Sequence, residues 1–240
     1  RTMEGMQVSI TGPIGVIESC VPFFGYYNAS NVVISLGLAD VLLAKVGIDP
    51  ETRIAGYIRA LPTLQLPSGR LQRVSNDRDD LSVFVDFAHS DDSIRSSLGA
   101  VRRVLPEGAS LWCVFGCGGD RDRTKRPRMG QAACNGADRI VLTSDNPRSE
   151  KPSRIVDDVL AGLDQSQRAR VEVQVNRDQA IQYAIEHANA GDAIVIAGKG
   201  HEAQQILSDH LGNPVVHHFD DAEHAARALH ERRSISEASA

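Results

Sequence analysis

Leu111-Trp112-Cys113-Val114-Phe115-Gly116-Cys117-Gly118-Gly119-Asp120-Arg121-Asp122 is the stretch on which the fold turns. An unbroken apolar run gives way abruptly to glycine, aspartate and arginine. A strand covered on both faces stays apolar throughout, whereas a half-exposed strand alternates. The same grammar recurs along the chain at Ser82–Asp86, Arg139–Thr143, Val171–Val175 and Ala193–Ala197. Between these runs lie segments with helical spacing near Asp92–Val104, Pro127–Asn135, Pro152–Leu163 and Arg177–Ala188, and a last one at Ala222–Arg232 before a frayed Ser/Glu/Ala end. Strand and helix in alternation predict an α/β domain, a doubly wound Rossmann-like sheet that is mainly parallel.

Upstream the pattern differs. Gln7–Ile10 and Gly15–Glu18 flank Thr11-Gly12-Pro13 and predict a β-hairpin. Val32, Leu36, Ala39, Leu42 and Leu43 then recur at helical spacing up to Gly47, which predicts a long, mostly buried helix. Asp49-Pro50-Glu51 opens a second helix, with Asp as N-cap and Pro at the first position. Leu66-Pro67-Ser68-Gly69 is the best linker. The boundary is therefore placed so that residues 1–68 form a partial unit of hairpin plus helices and residues 69–240 a complete domain.

At 240 residues, with 42% hydrophobic and 24% charged side chains, the chain can bury a core without disulfide staples. No uninterrupted apolar run approaches the ~18 residues of a membrane span, and a net charge of -5 opposes general nucleic-acid binding. Cys20, Cys113, Cys117 and Cys134 are too few for a disulfide scaffold and complete no zinc set, so no metal ligands are assigned and a reducing cytoplasm fits best. The chain opens Arg1-Thr2-Met3, which reads as an excised or partial sequence.

In an open parallel sheet, ligands bind beyond the carboxyl ends of the strands. Those ends carry Asp86-Phe87-Ala88-His89, Gly116 to Asp122, Ser144-Asp145-Asn146-Pro147-Arg148 and Gly198-Lys199-Gly200-His201-Glu202. Random surface loops would spread such polarity over both edges; here it falls on one. Each loop also has a plain reading. Asp86 could cap the next helix, and His89 could be an ordinary loop residue. Gly116, Gly118 and Gly119 fail the dinucleotide spacing, and the basic run Arg121–Arg128 could be a solvated face. Asn146-Pro147 could be only a turn. Arg148 beside Asp145 suits a zwitterion, because a guanidinium fork matches a carboxylate and an aspartate holds an ammonium. Gly198-Lys199-Gly200 is not a Walker loop, and that pattern is absent from the whole chain.

Taken together, Val85–His89, Leu111–Asp122, Asp145–Arg148 and Gly198–Glu202 resemble the Mur ligase family, and within it the ligases that add diaminopimelate during peptidoglycan synthesis. The resemblance runs from about residue 5 to about residue 230. It implies the end of a central ATPase domain followed by the whole C-terminal domain. It also implies a reaction in which ATP phosphorylates the D-glutamate carboxylate of UDP-N-acetylmuramoyl-L-alanyl-D-glutamate and the amine of meso-2,6-diaminopimelate displaces the phosphate. By motif, Asn28 and Asn31 match adenine-side asparagines, Arg70 an arginine that touches ATP, and Asp86 and His89 ribose and phosphate contacts. Arg121, Asp145, Asn146, Arg148, Gly198 and Glu202 match the acceptor amino-acid site.

Mg2+ is implied as well, with its ligands, the phosphate loop and a modified lysine expected upstream of this chain. The implied partners are these small molecules, with neither nucleic acid nor membrane. Diaminopimelate carries one carboxylate more than lysine, and Arg148 offers the cation to meet it. The sequence departs from the family pattern in three places: Ser90-Asp91, Ser144 and Arg128. Asp91 would put a negative charge near the implied phosphate region. Two other readings stand beside the ligase. One is a non-catalytic binding remnant; the other is a related Mur or folylpolyglutamate-type ligase with another acceptor, which Asp145-Asn146-Pro147-Arg148 disfavours. The chain alone is expected to lack ligase activity, having no phosphate cradle of its own.

Overall fold

The computed structural model describes residues 5–208 and 213–238. The chain forms two compact units, residues 1–66 and 67–240.

In the first unit, β1 (Met6–Gly12) and β2 (Gly15–Val21) pair antiparallel from Met6↔Val21 to Gly12↔Gly15. The ladder continues through Thr11 and Gly12, so the turn itself is Pro13-Ile14. α1 (Tyr26–Lys45) and α2 (Pro50–Ala60) follow, then a 3-10 turn at Leu61–Thr63. Asp49 caps α2 by accepting from the Thr52 amide at 2.9 Å. Arg53 and Tyr57 of α2 reach Asp40 of α1 at 2.9 and 3.2 Å. Met6, Ile17, Val21, Phe23, Val32, Tyr57 and Leu61 form the small core.

One expectation for α1 fails. Only Val32 is buried in it, while Val33, Ile34, Leu38, Val41 and Leu42 are each at least half exposed. One stripe (Val32, Leu36, Ala39, Leu43) lies on the small core, and none of the described residues of the unit covers the other. The helix is also long and apolar enough, by length and composition, to cross a membrane. Scattered Asn and Ser residues broke the apolar run in the sequence and hid this.

The second unit contains β3 (Gln72–Arg73), β4 (Ser82–Asp86), α3 (Asp91–Arg102), β5 (Leu111–Cys117), α4 (Lys125–Gly136) and β6 (Arg139–Ser144). Next come α5 (Pro152–Leu160), α6 (Gln165–Arg168), β7 (Val171–Val173), α7 (Arg177–His187) and β8 (Ala193–Ala197). A hairpin of β9 (Gln204–Ser208) and β10 (Pro214–His218) precedes α8 (Asp221–Ala238). The sheet order is β3-β4-β8-β5-β6-β7, parallel throughout except for the short edge strand β3. β4, β5, β6 and β8 are buried on both faces, as their unbroken apolar runs predict, whereas β7, expected to be covered as well, is partly exposed because it lies at the sheet's edge. α7 and α8 cover one face through Ile181, Ile185, Ala225 and Leu229 against Val83, Val114 and Ile194. α3, α4 and α5 pack in series on the other. β3, α6 and the β9–β10 hairpin were not expected, and α8 continues helically to Ala238 where a frayed end was expected.

Candidate functional site

β8 inserts between β4 and β5, so the carboxyl ends of β4, β8, β5 and β6 stand side by side and bring their four polar loops to one edge. Asp86 closes β4. Its carboxylate accepts from the Leu71 amide at 2.6 Å and the Ser97 hydroxyl at 3.0 Å. Burial raises its pKa and these hydrogen bonds pull against that rise. Asp86 is not the helix cap. Ser90 caps α3 in a reciprocal pair with Ser93, and Asp86 instead straps Arg70-Leu71 to the sheet edge. Gly69 O accepts from the Phe87 amide at 2.8 Å, and the Arg70 guanidinium sits 4.9 Å over the Phe87 ring. His89 and His201 lie against the same ring at 4.7 and 5.3 Å.

The loop after β5 interlocks with the loop after β6. The Gly119 amide donates to Asn146 O at 2.8 Å, and Arg148 donates back to Gly119 O at 2.8 Å. A Cβ on Gly119 would stand 1.9 Å from Pro147 O, so this closeness requires glycine. Arg126 is not part of a solvated basic face. It is buried, pairs with Glu150 at 2.6 Å and Asp158 at 2.8 Å, and donates to Gly118 O at 3.1 Å. That pairing holds the Glu150 carboxyl down to about 2. Arg128 and Asp91, two of the departures, face each other at 4.0 Å, so the charge at Asp91 is partly met. Ser144, the third, buries a hydroxyl that finds no hydrogen-bond partner.

Beneath the loops, Arg177 and Asp221 form a wholly buried two-pronged pair, both bonds at 2.7 Å, and Arg177 also donates to Ala197 O at 3.0 Å. Lys199 is likewise buried. Its ammonium donates to Gln204 O at 2.5 Å and Asn146 Oδ1 at 3.2 Å, with Asp145 Oδ1 at 3.5 Å. Burial lowers its pKa, and Asp145 opposes the fall. Asp145 Oδ1 is itself buried without a hydrogen-bond donor.

The resulting cavity holds about 460 Å3 and is lined among others by His89, Arg121, Asp145, Asn146, Arg148 and Glu202, with Gly198 in its wall. Asp86 and Arg70 lie at its margin in the strap, and Asn28 and Asn31 belong to the other unit. Asn28 donates to Phe24 O at 2.8 Å and Asn31 is exposed. Carboxylates and guanidinium groups share the lining, which suits a ligand carrying both signs. Among the described residues no group of three or more His, Cys, Asp or Glu is placed to hold a metal ion. A second cavity, of about 330 Å3 near Trp112, Arg139 and Tyr183, lies at the opposite edge of the sheet, away from these loops. The sequence reading passed over Lys199, Arg126 and the Arg177–Asp221 pair. Lys199 carried a signal, as a lysine between glycines at a strand's carboxyl end; the others carried none.

Fold and site together define an open α/β domain with a cavity lined by groups of both signs at its carboxyl edge. The model of the Mur ligase, glutamate ligase domain matches residues 69–200, more than half of the sequence, and the chain belongs to the Mur ligase family. A UDP-N-acetylmuramoyl-L-alanyl-D-glutamate–2,6-diaminopimelate ligase of Gloeobacter violaceus is 45% identical over 97% of this chain and 44% of its own length. The corresponding ligase of Trichormus variabilis is 42% identical over the same shares. The chain thus spans less than half the length of the curated relatives it matches. A solved structure of a ligase of that name aligns with 96% of this chain and 44% of its own, at 35% identity and a TM-score of 0.68. The UDP-N-acetylmuramate–alanine ligase of Thermotoga maritima shares the fold at 16% identity, with a TM-score of 0.58 over 91% of this chain and 40% of its own.

Proposed function

We propose that this chain is the acceptor-binding part of a cytoplasmic ATP-dependent ligase that joins meso-2,6-diaminopimelate to UDP-N-acetylmuramoyl-L-alanyl-D-glutamate. The observation that carries the reading is the mixed-sign cavity, with Arg148 fixed by Gly119 O and Asn146 O and with Asp145 and Glu202 in the same lining. In this reading residues 69–240 are the C-terminal domain and residues 1–68 the end of the nucleotide-binding domain. Arg148 and Arg121 receive carboxylates, Asp145 and Glu202 hold an ammonium, and Asn146 and Gly198 shape the pocket. Orientation is the main contribution of these residues, since a correctly held amine reacts far faster than one met by diffusion.

ATP supplies the phosphoryl group that makes the D-glutamyl carboxyl a good electrophile. Arg70 and His89 offer donors to an anion beside the cavity, and Asp86 keeps Arg70 there through the Leu71 amide. Asn28 and Asn31 are assigned to the adenine side. Mg2+ is assigned no ligand in this chain.

Titration calorimetry of meso-diaminopimelate and of L-lysine into the 240-residue chain tests the reading. Diaminopimelate should bind, lysine should bind at least about 10-fold more weakly, and Arg148→Ala should remove most of that preference. Equal affinity for the two amino acids, or no binding of diaminopimelate, would refute it. The 240-residue chain alone should release no phosphate from ATP when diaminopimelate is added.

A further inference from the structure

We propose that Lys199 is a positioning residue of this site, setting the orientation of the Asn146 amide without touching the ligand itself. The inference rests on the acceptor-site reading above. Asn146 Oδ1 accepts from two donors, the Ile206 amide at 2.9 Å and the Lys199 ammonium at 3.2 Å. A side-chain amide with its oxygen committed to two donors must turn its nitrogen the other way. Nδ2 accordingly faces the cavity, 3.4 Å from Glu202 Oε2. Were the amide reversed, its N–H groups would confront the Lys199 and Ile206 donors, and its oxygen would be set against the Glu202 carboxylate.

Lys199 is itself rigidly placed. It is wholly inaccessible, its backbone lies between Gly198 and Gly200 at the end of β8, and its ammonium is anchored by Gln204 O at 2.5 Å. The same ammonium stands 3.5 Å from Asp145 Oδ1 and places a positive charge beside this largely buried carboxylate. One side chain thus fixes two neighbouring members of the Asp145-Asn146-Pro147-Arg148 loop. A buried lysine hydrogen-bonded to a side-chain amide is a costly arrangement for a purely structural position, which an apolar residue of like length would fill.

The test is a cycle of Lys199→Met, Asn146→Ala and the double variant in the 240-residue chain, with Kd for meso-diaminopimelate read by calorimetry. If Lys199 acts through Asn146, each single change weakens binding about 10-fold and the double change little more than the larger single one. Lys199→Gln keeps a donor and should recover part of the loss. Additive losses near 100-fold, or full affinity in Lys199→Met, would overturn the inference. The amide signal of Asn146 in a 15N–1H spectrum, assigned through Asn146→Ala, needs no ligand and should shift in Lys199→Met. An unmoved signal in Lys199→Met, or in Lys199→Ala should the methionine variant not fold, overturns it too. Failure of the wild-type chain to bind diaminopimelate would instead sink the acceptor reading, leaving the amide signal to decide the role of Lys199.

Discussion

Replacing Arg177 with Met should be the most damaging single change in the second unit. Arg177 and Asp221 are both inaccessible to solvent and meet through two bonds of 2.7 Å. Methionine leaves the Asp221 carboxylate buried without its counter-charge and takes the donor from Ala197 O. Removing one partner of a buried pair costs about 3–5 kcal/mol, and an orphaned carbonyl adds roughly 1. A loss near 5 kcal/mol in a domain of this size lowers the melting temperature by about 10–20 °C.

The assay is built into the chain. Trp112 is the single tryptophan and lies in the core of the second unit, so its fluorescence during guanidinium unfolding reports that unit. Asp221→Leu on top of Arg177→Met removes the stranded charge, and the pair of changes should return to within about 2 kcal/mol of wild type. Part of the remaining deficit is the loss of an acidic group in the first turn of α8. A cost below about 1 kcal/mol for Arg177→Met would refute the reasoning. A double variant no more stable than the single one would refute it as well.

Three further outcomes are expected. Gly119→Ala places a methyl 1.9 Å from Pro147 O, so the two loops must part and diaminopimelate binding in calorimetry should fall by more than 10-fold. Glu150, held near 2 against an ordinary 4.5 by its bond to Arg126, contributes stability that is complete above about pH 4.5 and is lost as pH falls through 2. Wild type should therefore exceed Glu150→Gln in guanidinium midpoint at pH 7, and the two should converge towards pH 2. Leu38→Ser with Leu42→Ser, at positions 64% and 63% exposed on α1, should reduce concentration-dependent self-association in gel filtration while leaving the Trp112 unfolding curve unchanged.

Strands were legible because a two-sided burial requirement writes itself as an unbroken apolar run, and β4 and β8 fall where the pattern puts them. The loops of the site were legible for a related reason, since their glycines and charges follow those runs directly. α1 was misread because periodicity reports that a face is apolar and is silent about whether anything covers it. Arg126 was misread because a basic residue in a basic run looks solvated until Glu150 and Asp158, from two other segments, come to meet it.

Local pattern alone thus marked the five parallel strands of the sheet, the edge at which their polar loops gather and the family the chain resembles. Tertiary structure decided the rest. Placing β8 between β4 and β5 sets Gly198–Glu202 beside Asp145–Arg148, some 50 residues away in the chain. Only then does Lys199 find Asn146, and only through the packing of α7 and α8 does Arg177 find Asp221. A side chain's charge is written in the sequence. Its desolvation and its partner come from segments distant in the chain, and these determine what the charge does.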